Sequence, residues 1–291
     1  METLTSSSLV RLAIALALSL LLGKRGLKKQ SLDQSGAVAA FAVGFLTLAC
    51  GYRFGALLLG FYFTGSKLTK VRAHVKVQLD ENYKVGGQRS AGQVLACSAI
   101  ATMIAVYHIL LFGDAERSIS FSQSKVSAIL LTSYIGHYAC CAADTWASEL
   151  GVLSKSNPVL ITTLKRVPPG TNGAISLVGT VASVLGGAFM GVLYLIVSLF
   201  SSTAQVHVIT LGAIMGLIGS LIDSLLGATV QSTWYNRKSK KICAEGAPHN
   251  SADATYERLA GINVLTNEQV NLVSVLLTTI LSGFVGQLLF P

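Results

Sequence analysis

The chain has 291 residues, of which 52% are hydrophobic and only 12% are charged, with a mean hydropathy of +0.60. Soluble domains carry about 25% charged residues, so this composition excludes an ordinary soluble fold and specifies a polytopic membrane protein. A formal net charge of +9 would suggest nucleic acid as the partner of a soluble protein. In a membrane protein, basic loops on one face account for it, and nucleic-acid binding is not expected.

Taken in order, the apolar runs predict an all-α fold, a single polytopic helical bundle over 1–291 with about eight transmembrane helices. The predicted spans are 5–23, 35–51, 53–64 with its flanks, 91–112, 126–148, 174–199, 206–231 and 269–290. The first run, Leu9 to Leu22, has no basic stretch before it and no A-x-A site after it. Lys24, Arg25, Lys28 and Lys29 follow instead, so a retained span is expected rather than a signal peptide, and no plastid or mitochondrial leader is expected. Gly51-Tyr52-Arg53 makes a tight connection that pairs the second and third spans as a hairpin. The connections 24–34, 65–90, 152–173 and 232–268 carry 4, 6, 3 and 5 Lys+Arg, which is 18 of the 22. With eight spans these all fall on one face, cytoplasmic by the positive-inside rule, in either the plasma membrane or an endomembrane. The last of them reads as polar and partly flexible.

Small residues mark helix contacts. Gly179, Ser183, Gly187 and Gly191 line one face of the sixth span, and Gly212, Gly216 and Gly219 lie close to one face of the seventh. Such rows let backbones approach and predict that these spans are neighbours. A short echo between Ser35-Gly36-Ala37 and Asn172-Gly173-Ala174, each opening a span, raises an internal duplication. The five cysteines (Cys50, Cys97, Cys140, Cys141, Cys243) are odd in number and mostly in apolar runs, which excludes a disulfide framework.

Acidic residues within the apolar segments are the first site candidates, because a carboxylate in hydrocarbon is costly unless paired, hydrated or metal-bound. Asp144 and Asp223 are expected to hold Mg²⁺, an ion typically held by one or two carboxylates plus substrate phosphates. Hydrogen bonding to neighbouring Ser, Thr or backbone groups is the alternative. Glu149 lies about 140° from Asp144 around a regular helix, so it joins the pair only if that helix unwinds. Lys67, Lys70 and Arg89, at span ends, fit phosphate or simply positive-inside charge. Thr162–Gly173 (TTLKRVPPGTNG) combines Lys165 and Arg166 with two prolines and with Gly170 and Gly173, which permit positive φ. Thr171 or Asn172 is placed to cap the sixth span, whose free N–H groups attract anions. The loop reads as a cap or a phosphate cradle. Asn267 and Asn271, one turn apart, either join the polar cluster or cap the last span. His137 reads as a packed polar residue. There is no Walker A motif, zinc pattern, nucleophile elbow or Rossmann fingerprint.

Six segments together carry a family resemblance: GSKLTK at 65–70, GGQR at 86–89, ADTWASELG at 143–151, TTLKRVPPGTNGAIS at 162–176, DSLLGATVQ at 223–231 and NEQVN at 267–271. They are similar to the transmembrane protein 19 family, a domain-of-unknown-function class of membrane proteins. That class also contains the plant phytyl-phosphate kinase of vitamin E synthesis, and within it YRFGALLLGFYFTGSKLTK looks close to a plant plasma-membrane glucose-responsive regulator. The resemblance implies a helical bundle and, through the kinase member, phosphorylation of an isoprenyl monophosphate by CTP or another nucleoside triphosphate. Its implied site residues are Lys67, Lys70, Arg89, Asp144, Glu149, Lys165, Asn172 and Asp223. Two other functions stay open: a non-enzymatic glucose-responsive regulator of growth, and an ion-coupled transporter. The first would act through the 232–268 loop; the second would show access from both faces.

Overall fold

A computed structural model of the chain describes residues 6–81, 87–243 and 255–291. Ten helices lie among the described residues: α1 (Ser6–Lys28), α2 (Gln34–Cys50), α3 (Tyr52–Lys70), α4 (Ala73–Leu79), α5 (Ala91–Ala96), α6 (Ala99–Phe112), α7 (Lys125–Gly151), α8 (Leu177–Leu199), α9 (His207–Val230) and α10 (Asn267–Leu289). Two small antiparallel sheets accompany them, β1 (Val159–Leu160) with β2 (Ala174–Ile175), and β4 (Lys241–Ile242), β3 (Thr233–Asn236) and β5 (Tyr256–Ala260) in that order. The fold is therefore mostly helical rather than purely α, and part of the connection 232–268, expected to be polar and partly flexible, is a sheet. The rest of that connection that falls at 244–254, and residues 82–86 of the connection 65–90, lie outside the described residues.

Local chemistry sets the helix starts. Asp33, Ser124, Ser176 and Thr266 each accept a first-turn backbone N–H, opening α2, α7, α8 and α10, and such caps contribute about 1 kcal/mol each. The cap of α8 is thus Ser176, not Thr171 or Asn172, because β2 intervenes between that loop and the helix. Gly51, at φ +151°, turns α2 directly into α3 as the expected hairpin.

The bundle is built around α7, which packs against α3, α6, α8, α9 and α10. Every residue from Leu131 to Ala143 of α7 is buried, and a helix covered on all sides must be apolar or small all round. Tyr134 and Tyr138 are among the largest fully buried side chains, the Tyr134 hydroxyl donating to the Phe54 carbonyl at 2.6 Å. The glycine rows of α8 and α9 meet as expected. A Cβ on Gly187 would stand 2.1 Å from the Gly212 carbonyl oxygen, and one on Gly212 would stand 2.3 Å from that of Gly187.

Of these helices, α7, α8, α9 and α10 are long and apolar enough to cross a membrane, while α2 and α6 are shorter apolar helices. The segment expected as one span at 91–112 is broken at Cys97-Ser98 into α5 and α6. The carbonyl freed there accepts from His137 Nε2 at 2.9 Å, so His137 is a packed polar residue. All five cysteines are free.

The four basic connections converge at one end of the bundle. The Leu32–Arg89 bridge, the Lys70 ammonium on the Lys29 carbonyl, the Glu81 N–H on the Ile242 carbonyl and the Asn172 N–H on the Thr233 hydroxyl tie them together. At the opposite end Arg11 pairs with Asp114 at 2.7 Å and Arg53 with Glu116 at 3.2 Å, holding the 113–124 connection over the helix ends.

Candidate functional site

A cavity of about 360 Å³ opens among the basic connections, between the ends of α7, α8, α9 and α10. Asp144, Glu149 and Asp223 line it together with Arg89, Gly170, Thr171, Asn172 and Gly173. Eight residues singled out by the sequence, drawn from four separate stretches of chain, thus share one space.

At the heart of the site is the pair Asp144 and Asp223, which line the same cavity and whose carboxyl groups interact directly. Asp144 comes from α7 two turns before its end. Asp223 comes from α9, one turn beyond Gly219, whose hydrogen faces the Cys140 sulfur so closely that a Cβ would stand 2.5 Å from it. That close approach of α9 to α7 is what brings the two carboxylates together. One oxygen of Asp223 accepts from the Ser274 hydroxyl of α10 at 2.8 Å. Two carboxylates this close repel unless a cation or proton lies between them. The donor set is all oxygen, and no group of three or more His, Cys, Asp or Glu gathers among the described residues. Such a set fits a hard divalent cation that takes its remaining oxygens from water or phosphate.

Glu149 does not join this pair. α7 stays helical to Gly151, so the carboxylate remains on another face, where it takes the Lys76 ammonium at 2.5 Å. Lys76 sits on the short helix α4, is buried, and also donates to the carbonyls of Leu68 and Thr69. Glu149 thus borders the cavity as half of an ion pair.

The wall opposite the carboxylates is built by the 169–173 loop and the start of α8. The Thr171 hydroxyl donates to the Pro168 carbonyl at 2.7 Å. Gly170 and Gly173 adopt φ of +90° and +74°, the left-handed region that disfavours a side chain. A Cβ on Gly173 would stand 2.4–2.5 Å from Ala228 and from the Ser224 carbonyl oxygen, so the loop lies flat on the end of α9. The α8 residues Gly179, Thr180 and Ser183, with its cap Ser176, face the same space, and the free N–H groups of a helix start favour an anion. Arg89 supplies the positive charge, its guanidinium held by the Ser66 hydroxyl at 3.3 Å.

Four expected phosphate ligands lie elsewhere. Lys67 and Lys70 are exposed on α3, because the GSKLTK stretch is helical and it is Gly65 and Thr69, four apart, that turn inward. Lys165 and Arg166 are exposed in the turn after β1, which pairs Val159 with Arg166 through backbone. Asn267 and Asn271 do line the cavity, and the cap of α10 is Thr266. Sequence reading missed Lys76 and Ser274. The second had a signal, since Asn267, Asn271 and Ser274 fall at the i, i+4, i+7 spacing of one helix face.

The model of the integral membrane protein family DUF92 matches residues 17–279. Protein PGR of Arabidopsis thaliana is 41% identical over 287 residues, covering 96% of this chain and 98% of the relative. An uncharacterized membrane protein of Methanocaldococcus jannaschii is 30% identical over 294 residues, covering 100% and 99%. The chloroplastic protein VTE6 of Arabidopsis thaliana is 30% identical over 210 residues, covering 70% of this chain and 59% of that one. No solved structure matches the chain.

Proposed function

The chain belongs to the DUF92 family of integral membrane proteins, and on that premise we propose that it is a membrane-embedded kinase-like protein. It transfers a phosphoryl group from a nucleoside triphosphate to an isoprenyl monophosphate of the phytyl type. The observation that carries this reading is the pairing of Asp144 with Asp223 in one cavity with Arg89 and the 170–173 loop. Phosphoryl transfer asks little covalent work of a protein; it asks for positioning, charge neutralisation and a bridging metal. The phytyl-phosphate kinase within the resembled class supports the same substrate chemistry.

In this reading Asp144 and Asp223 hold Mg²⁺, which when bound neutralises charge on the transferring phosphates. The backbone of the 170–173 loop and the start of α8 receive the nucleotide phosphates, and Arg89 grips the acceptor phosphate. An oxygen of that acceptor attacks the terminal phosphorus of the triphosphate, the bond to the bridging oxygen breaks, and a nucleoside diphosphate leaves. The acceptor is already an anion, so no protein base is needed. Glu149, paired with Lys76, therefore serves to anchor α4 against α7 rather than to take a proton. The eight expected spans, formed by α1, α2, α3, α5 with α6, α7, α8, α9 and α10, are read as crossing the membrane, with the basic connections cytoplasmic, so the nucleotide arrives from the cytoplasm. Among the described residues the cavity is lined from the basic end of the bundle alone, which favours an enzyme over a transporter with alternating access.

The test uses purified protein in micelles with radiolabelled nucleoside triphosphates and prenyl monophosphates. Formation of prenyl diphosphate by the native chain, abolished in Asp144→Asn and Asp223→Asn at equal folded yield, is the expected result. Product formation that persists in either variant would refute the assignment.

A further inference from the structure

A second cavity, of about 160 Å³, lies beside the first between α1, α2, α3 and α5, with Leu22, Ala40, Val43, Leu59 and Val94 among its walls. The two cavities share a wall. Arg89, Thr145 and Asn271 line both, so the apolar slot abuts the polar chamber at the Arg89 guanidinium that borders the carboxylate pair. Along α2 the slot wall runs from Ala40 to Leu48, eight residues or about 12 Å at about 1.5 Å per residue. Walls of this kind repel a nucleotide and reward hydrocarbon, each buried methylene strengthening binding about fourfold.

We infer that this slot is the binding site for the hydrocarbon tail of a single-chain lipid monophosphate, whose phosphate rests on Arg89. The inference rests on the kinase reading for the fate of that phosphate, but the slot itself is a matter of binding. It makes α2 and α5 specificity elements. Arg89 becomes the residue that sets where the tail ends and the reacting head begins. The Leu32–Arg89 bridge and the Arg89 N–H on the Ser31 carbonyl fix its backbone to the link between α1 and α2, so the head-group anchor and the tail walls move as one piece.

The experiment is photolabelling of the full-length protein in micelles with a long-chain alkyl monophosphate carrying a terminal diazirine, read by peptide mapping. Turnover of isopentenyl and geranylgeranyl monophosphates is measured alongside. Label is expected on α1, α2, α3 and α5. Ala40→Phe should reduce it more than about tenfold, whereas Val38→Phe, on the exposed side of the same helix at 71% accessibility, should not. Val94→Phe narrows the slot from its other wall and guards against a folding defect at Ala40. For turnover, Ala40→Phe should raise KM for the long acceptor more than about tenfold and leave the short one unchanged. Label spread over the bilayer-facing surface of α8 or α10, or insensitive to both slot variants, would overturn the inference. Slot labelling without any nucleotide-dependent product would sink the kinase reading and support the slot, and Asp144-dependent transfer with an unlabelled slot would do the reverse.

Discussion

Gly173→Ala is the perturbation whose consequence follows most directly from geometry. At φ +74° an alanine is left-handed, which costs about 1–2 kcal/mol. The new methyl would also lie 2.5 Å from the Ala228 nitrogen and the Ser224 carbonyl oxygen. Ordinary contact begins near 3.4 Å, so loop and helix must separate by about 0.9 Å, the difference between the two. The atoms in the way are backbone and cannot rotate aside, and Ser224 adjoins Asp223. A misplacement of about 1 Å at a reacting centre costs up to about a hundredfold in rate. Gly170→Ala is the matched comparison: its φ is +90°, but its nearest neighbour is a side-chain atom, Ile242 Cγ1 at 3.3 Å, which can shift by the few tenths of an ångström required. The assay is nucleotide-dependent product formation, with thermal unfolding in micelles followed in parallel. Gly173→Ala is expected to lose about a hundredfold in kcat with a modest fall in Tm, and Gly170→Ala to lose far less activity. Full activity in Gly173→Ala would refute the claim that this loop is set against α9 to form the site.

Lys76→Met leaves the Glu149 carboxylate, only 19% exposed, without its partner, and is expected to cost about 2 kcal/mol in chemical unfolding. Adding Glu149→Leu should restore most of that loss, whereas a catalytic Glu149 would give a stable but inactive double variant. Arg89→Ala is expected to raise KM for the prenyl acceptor about tenfold to a hundredfold, the worth of one charge-assisted hydrogen bond. Arg89→Lys should recover only part of it, since the fork is lost. At the far end, the Arg11 guanidinium at 2.7 Å, helped by the Ser8 hydroxyl, holds the Asp114 carboxyl below its usual range. A lowered folded pKa gives stability that is present above the unfolded value of about 3.9 and lost as pH falls through the folded one. Asp114→Asn should therefore lower stability slightly at neutral pH, by less than about 1 kcal/mol because the carboxylate is 44% exposed. That gap should close as pH falls through the lowered folded value.

Much of this site was legible because costly residues announce themselves. Asp144 and Asp223 stand in apolar runs with few reasons to be there other than each other, and Gly170 and Gly173 occur where backbone must turn left-handed. The glycine rows of α8 and α9 likewise foretold their contact. The misplaced lysines show where pattern fails. Lys67 and Lys70 were read as loop residues at a helix end, but α3 continues through them, and the helical period turns Gly65 and Thr69 inward instead. Lys165 and Arg166 carry charge near the cradle, yet the β1 turn points them to solvent. Glu149 needed an unwound helix to reach the pair, and the Lys76 ion pair removes any reason to unwind. Lys76 itself was invisible because its partner lies 73 residues away and nothing in its local stretch marks burial. The break at Cys97-Ser98 was equally hidden, since no proline or glycine adjoins it and its freed carbonyl is satisfied by His137 from another helix.

The account stands on Asp144 and Asp223 sharing one divalent cation. Mn²⁺ is an oxygen-seeking stand-in for Mg²⁺, and its binding can be titrated by electron paramagnetic resonance on the purified protein with a non-hydrolysable nucleoside triphosphate. The native chain is expected to bind one Mn²⁺ per protein beyond that held by free nucleotide, and Asp144→Asn and Asp223→Asn are each expected to weaken it by more than about tenfold. Binding that is absent from the native chain, or unchanged in either variant, would contradict a shared cation.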